Sequence, residues 1–324
     1  MGVRVVSGVM STTARRKKPA KPARRRRTFA SAVISTKGLT KHFGPIKAVE
    51  DLDLEVRRGE IFGYLGPNGS GKTTTIRLLL DFIRPTRGRA SVLGGSGADT
   101  EIRKRIGYMP GDLNLDPKYT GRDVFSYFGA LRGGLDEPRV RELVDRFDLD
   151  PSRPIRQLST GNRRKVGIVQ AFMHRPELLI LDEPTSGLDP LLQHEFQQIV
   201  REARGEGATV LLSSHVLPEV EQLADRVAIL RKGRVVKQGS VEQLRRQARQ
   251  RIDLFFDKKV DAKPFRLIPE VVEATADHNT LHLVVEGTVE RVLRMAARLH
   301  AHRIVSPEAD LEDVFLSYYQ DDKK

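Results

Sequence analysis

The chain has 324 residues, a net charge of +14 at pH 7, 30% charged residues, no Cys and no Trp. That length suggests about two domains and can bury a core without staples. The missing Cys excludes a disulfide framework, a thiolate metal site and a Cys nucleophile. Mean hydropathy is -0.39, and no run approaches the roughly 18 apolar residues of a membrane span. A pI near 10.1 raises nucleic acid or an anionic membrane surface as partners.

The position of the charge decides its meaning. Residues 1–30 hold ten Lys or Arg, concentrated in RRKKPAKPARRRR, and no Asp or Glu. The difference leaves +4 for the rest, a mildly basic body. The run is Pro-interrupted and self-repelling, so residues 1–32 are expected to form a disordered basic tail. No apolar stretch follows the arginines, so it does not read as a secretory signal. Val6 breaks the myristoylation pattern, and Met10 is a second candidate start. Contact with anionic lipid is the sharper expectation for the tail. The run interleaves no aromatic, so nucleic acid is not expected as a partner.

From Val33 onward, short apolar runs alternate with amphipathic segments. Ile61-Phe62-Gly63-Tyr64-Leu65 predicts a buried strand, followed by a Gly-rich turn and a helix from Lys72 to about Ile83. Residues 113–173 predict an inserted helical subdomain. Leu178-Leu179-Ile180-Leu181 and Thr209-Val210-Leu211-Leu212 predict two further buried strands. Between them Leu192, Phe196, Ile199, Val200 and Ala203 recur at helical spacing. The alternation argues for an α/β sheet with crossover helices. From 241 a small α+β unit is expected. It comprises an Arg-rich helix over 241–252, strands at 252–256, 270–275 and 281–286, and a turn at Asp277-His278-Asn279. A helix at 288–300, a strand at 303–305 and a last helix at 309–319 complete it.

Gly66-Pro67-Asn68-Gly69-Ser70-Gly71-Lys72-Thr73 matches G-x-x-x-x-G-K-[ST]. The glycines permit a tight loop whose N–H groups face phosphates. Lys72 would reach the terminal phosphates and the Thr73 hydroxyl would ligate Mg2+. The flanking strand and helix are the required context. Asp182 and Glu183 end the next apolar run, where a carboxylate can hold Mg2+ and its neighbour can polarise an attacking water. His215 ends the adjacent run and would stand beside the last phosphate.

Taken together, these motifs resemble the ATP-binding subunit of an ABC transporter. The likeness adds Leu158-Ser159-Thr160-Gly161-Asn162 and Ser186-Gly187-Leu188-Asp189 in the family's order and covers about 33–240. It implies an ABC-type P-loop NTPase fold with a helical subdomain, followed by an accessory α+β domain over 241–324. By resemblance, Phe43 stacks on adenine, while residues 66–73 and the adjoining Thr74 hold ATP. Thr73 and Asp182 hold Mg2+. Lys72, the base Glu183 and the switch His215 are catalytic. Ser159 and Gly161 contact nucleotide across a head-to-tail homodimer, and Asp189 belongs to the same interface. The implied partner is a multi-span membrane permease, contacted around 111–127, with the subunit peripheral at the cytoplasmic face of the membrane. Leu311-Glu312-Asp313-Val314-Phe315-Leu316 resembles the drug- and polysaccharide-exporter subgroup.

The sequence departs from the family at three positions. Gly111 stands where a Gln usually ligates Mg2+, with Asp112 next along as a candidate substitute. Thr160 puts a β-carbon where the family has Gly. Phe43 replaces the commoner Tyr. These changes and the basic tail motivate an alternative, a soluble ABC-type ATPase with a regulatory or ribosome- or nucleic-acid-associated role. Against it, translation-type members carry two such units in one chain, and this chain has one P-loop motif. Chromosome-type members are split by a coiled coil or zinc insert. This chain lacks Cys and heptads.

Overall fold

A computed structural model describes residues 32–247 and 249–306. A six-stranded sheet forms its centre, in the order β10-β9-β4-β8-β7-β6. These strands are β4 (Ile61–Leu65), β6 (Ile106–Met109), β7 (Leu178–Asp182), β8 (Thr209–Ser214), β9 (Arg226–Arg231) and β10 (Arg234–Ser240). All its pairings are parallel except that of β9 with β10. β4 and β7 are buried along their whole length. Both faces of the sheet are therefore covered, as the unbroken apolar runs require.

Successive side chains feed two cores, because a strand alternates its faces. Leu179 and Leu181 join Ile61, Leu65, Val210 and Leu212 on one side. Leu178 and Ile180 join Phe62, Tyr64 and Leu211 on the other. The helices α6 (Pro190–Gly205) and α7 (Leu217–Leu223) belong to the first side. Phe196, Ile199, Val200 and Ala203 of α6 are buried there, the stripe expected from the sequence. At Gly63 an added β-carbon would stand 2.1 Å from Val220 Cγ1, so α7 packs on bare backbone.

A second sheet was not legible in the sequence. β1 (Ala32–Phe43) pairs antiparallel with β2 (Ile46–Leu52), β3 (Glu55–Arg57) and β5 (Arg87–Val92). Between β6 and β7 lie α3 (Gly121–Leu131), α4 (Glu137–Arg146), a short turn of 3₁₀ helix and α5 (Thr160–Phe172). Thr120 and Asp123 form a reciprocal cap at the start of α3. α2 (Thr100–Lys104) precedes β6.

Two element boundaries differ from expectation. Helix α1 (Lys72–Leu79) stops four residues before Ile83. Asp81 turns left-handed at φ 58°, and its N–H bonds Leu78 O while Phe82 N–H bonds Arg77 O. That pair of bonds is a Schellman ending, which Asp tolerates in place of Gly. The Arg-rich helix is also shorter: α8 (Val241–Gln247) gives way to strand β11 (Arg249–Phe255). Pairing with β13 (Thr280–Glu286) wins there, because alternation buries Ile252 and Leu254 in a common core.

That core belongs to a third sheet, ordered β12-β13-β11-β14, with β12 (Val271–Asp277) and β14 (Arg303–Val305). α9 (Lys263–Arg266) and α10 (Glu290–Arg298) supply Phe265, Val292 and Ala296 to the core. The β12–β13 turn falls at His278-Asn279, as expected, with His278 at φ 51°. The tail over 1–31 and the last helix at 309–319, with its exporter-like stretch, lie outside the described residues.

Candidate active site

The P-loop joins β4 to α1, and its shape needs its glycines. Gly71 caps α1 at φ 106°, and a β-carbon there would stand 2.4 Å from Ala48 O. At Gly66 a β-carbon would meet Ser70 Oγ at 2.4 Å and Leu230 O at 2.9 Å. Tyr64 Oη donates to Thr75 Oγ1 at 3.0 Å, and Thr75 Oγ1 donates to Gly71 O at 3.0 Å. This buried relay fastens the loop to the sheet, and burial raises the Tyr64 phenol far above its ordinary value. No acidic residue occupies the first turn of α1. Its N-terminal N–H groups therefore present an uncompensated positive dipole end to an anion.

Lys72 lies almost fully buried. Its Nζ donates to Gly66 O at 2.6 Å and Pro67 O at 3.3 Å. It also stands 3.1 Å from Glu183 Oε1. Glu183 Oε2 lies 2.6 Å from His215 Nδ1. One carboxylate thus bridges the ends of β7 and β8 and the P-loop lysine. Glu183 holds a left-handed φ of 50°. Its N–H is shared between Ser213 O at 3.1 Å and Ser213 Oγ at 3.2 Å. A strained non-glycine backbone held by such bonds is a usual mark of a functional position.

Beside it, Thr73 Oγ1 donates to Asp182 Oδ2 at 2.8 Å, and Ser213 Oγ donates to Asp182 Oδ1. A hydroxyl and a carboxylate are the hard oxygen donors that Mg2+ takes alongside substrate phosphates. Among the described residues no cluster of three or more His, Cys, Asp or Glu could hold a metal alone. The donor set therefore fits Mg2+ carried on a nucleotide. Gly111 lies against this pair: a β-carbon there would be 3.5 Å from Asp182 Oδ2. Asp112 is exposed.

Asn68, Gly69, Gly71, Lys72, Thr73, Thr74 and Glu183 line one cleft of about 720 Å3. Ser70 Oγ is buried with no hydrogen-bond partner. The cleft suits a nucleotide in size, and its loop suits polyphosphate in chemistry. Three expected residues lie apart from it. Ser159 caps α5 by accepting from Asn162 N, a β-carbon on Gly161 would be 3.4 Å from Gly187 O, and Asp189 caps α6 by accepting from Leu192 N. Phe43 also does not line the cleft. Half its surface is exposed, with Lys41 Nζ 5.0 Å from its ring centre.

Several contributors escaped the sequence reading. Arg164 of α5 donates to Glu183 O at 2.9 Å and Gly111 O at 3.0 Å. Burial lowers its pKa, opposed by Glu183, Asp112 and Asp182. Tyr108 is pushed up to about 12 by burial and the Asp182 charge, so it stays a phenol. Ile46, Lys47, Ala48, Glu50, Lys232 and Arg234 complete the cleft wall. Of these, only Arg164 had a usable signal, its place one turn into the helix after Ser159.

A family model described as ABC transporter matches residues 49–186. A daunorubicin resistance ATP-binding protein, DrrA3, of Streptomyces coeruleorubidus is 36% identical over 91% of this chain and 98% of its own. The chain belongs to the ABC transporter ATP-binding family. The bacitracin transport ATP-binding protein BcrA of Bacillus licheniformis is 35% identical over 69% of this chain and 74% of its own. A solved ATP-binding subunit of an ABC transporter is 33% identical with a TM-score of 0.62, over 66% of this chain and 92% of that one. A dimeric bacterial cassette at 24% identity, TM-score 0.59, shares the fold over 64% of this chain and 98% of its own. The protein is thus an ABC-type ATPase subunit that powers transport, and the transport role stands over the non-transport alternative. Subunits of this kind bind ATP and work with membrane permeases. No helix among the described residues is long and apolar enough to cross a membrane.

Proposed function

We propose that this subunit hydrolyses ATP in the cleft at 66–74 to drive export through a separate permease. The observation that carries the reading is Glu183 poised between Lys72 and His215, next to the Thr73–Asp182 pair. The P-loop amides and Lys72 bind the phosphate chain. Thr73 and Asp182 hold Mg2+, which neutralises phosphate charge. Glu183 orients the attacking water and accepts its proton, while His215 holds the carboxylate in place. Phe43 takes the adenine ring. Ser159, Gly161 and Asp189 act across a homodimer, where the start of α5 offers its dipole to the partner's nucleotide.

The ATPase unit runs over 33–240, with its helical subdomain at about 113–173, and an accessory domain over 241–324. Residues 111–127 meet the permease, and the subunit sits peripherally on the membrane's cytoplasmic face. The basic tail adds contact with anionic lipid, and nucleic acid is not a partner. Full-length likeness to a drug-resistance protein and likeness to a Nod factor export protein favour export.

Glu183→Gln is the direct test. It should nearly abolish turnover while ATP binding persists and ATP-bound dimers accumulate on gel filtration. Lys72→Ala should lose binding itself. Hydrolysis by Glu183→Gln at the parent rate would remove Glu183 as the base.

A further inference from the structure

The cleft has a wall that the motifs did not mark. β9 and β10 meet in the tight turn Arg231-Lys232-Gly233-Arg234, with Arg231 opposite Arg234. Lys232 and Gly233 both have positive φ, 48° and 77°. Two such residues define a type I′ turn, whose first central position favours Asn, Asp or Gly. A long side chain there carries a conformational cost that Asn would avoid.

The turn is fastened to the site on both sides. Gly233 N–H donates to Ser70 O at 3.0 Å, and Gly233 O accepts from Glu50 N at 2.8 Å. A β-carbon on Gly233 would stand 2.9 Å from Ala48 O. Lys232 and Arg234 accordingly line the nucleotide cleft beside Asn68, Gly69 and Gly71. Among the described non-glycine residues with positive φ, Glu183 and Lys232 are the two that line it. Strained residues gather where function requires them. Glu183 already has its place in the proposed reaction, and Lys232 has none.

The neighbouring charges assign the rest. Arg234 and Lys47 both turn onto Glu50, at 3.0 and 3.2 Å. The Lys47 hydrogen bond, ahead of Arg234, holds the Glu50 carboxyl below the usual range despite burial. Lys232 adds positive charge to this wall. The turn that carries it is bonded to Ser70 and to Glu50 of β2, next to the P-loop.

We propose that Lys232 is a nucleotide-binding residue, its ammonium contacting the part common to ATP and ADP between the base and the P-loop. The assignment rests on the reading of the cleft as the ATP site. It accounts for Lys at a turn position where Asn folds better: binding requires the cation.

The test uses the full chain with Lys232→Asn and Lys232→Arg, and Lys72→Ala as control. Dissociation constants are measured with fluorescent ATP and ADP analogues, and melting temperature without nucleotide. Lys232→Asn should weaken both nucleotides about tenfold, as for one lost charge-assisted hydrogen bond. Its nucleotide-free melting temperature should be equal or higher. Lys232→Arg should bind within about threefold of the parent, since the charge is kept. Unchanged affinity in Lys232→Asn overturns the assignment, as does a loss confined to ATP. A parent and Lys72→Ala that bind alike would instead overturn the reading of the cleft itself.

Discussion

Glu183 meets two neighbours through different oxygens, Lys72 at Oε1 and His215 at Oε2. That division holds the carboxylate in one orientation, with one oxygen on each neighbour. Gly111 is the residue-scale departure whose effect can be stated. Its β-carbon direction leads towards Asp182 Oδ2, and its φ lies outside the left-handed region. Gly111→Gln should therefore fold normally and add an amide oxygen beside Thr73 and Asp182. The Mg2+ concentration giving half-maximal ATPase should fall several-fold, read from a metal titration. An unchanged titration would mean that the side chain does not reach the metal.

At the scale of elements, Arg164 links three pieces. It rides on α5, whose first turn holds Ser159, and bonds the carbonyls of Glu183 and Gly111. Movement of α5 is thereby tied to the backbone that carries Glu183, the proposed base. Arg164→Met should retain ATP binding and lower single-turnover hydrolysis by about ten- to a hundredfold, the scale for a misplaced catalytic group. Equal loss of binding and turnover would make Arg164 merely structural. The P-loop and the strand-end carboxylates were legible from the sequence because each motif is local, a few residues with a fixed neighbour on either side. Lys232 and Glu50 were not, because the turn after β9 and strand β2 meet only across most of the chain, Glu50 N–H on Gly233 O.

For the whole molecule, His174 ties stability to pH. Its ring is largely buried, with Nε2 3.2 Å from Ile106 O. Burial, with Arg132 nearby, pushes its pKa down to about 4. The folded state thus holds neutral His174 while the unfolded chain protonates near pH 6.5. Its stability contribution is whole above about pH 6.5 and falls as pH drops towards about 4, by on the order of 3 kcal/mol. His174→Gln should flatten that part of the dependence, followed by urea midpoints between pH 7 and pH 4. The third sheet carries its own core around Phe265. Phe265→Ala should cost that sheet about 3–5 kcal/mol. Calorimetry should show an earlier transition while fluorescent ATP still binds. Loss of ATP binding at that transition would contradict a separate accessory domain.

The amino-acid order by itself determined the alternation of strands and helices, the phosphate loop and the acids after Leu181. Those features depend on periodicity and on spacings of a few residues. It also placed β12, β13 and β14 closely, since their turns and apolar alternation are local. Tertiary structure decided the rest. The segment 249–252 follows a helical charge pattern, yet pairing with β13 makes it strand. β1, β2, β3 and β5 form a sheet from well-separated segments, with Ile34 of β1 opposite Val92 of β5. The approach of Lys72, Glu183 and His215 likewise arises only because β4, β8 and β7 lie side by side in the sheet, an order that no local pattern encodes.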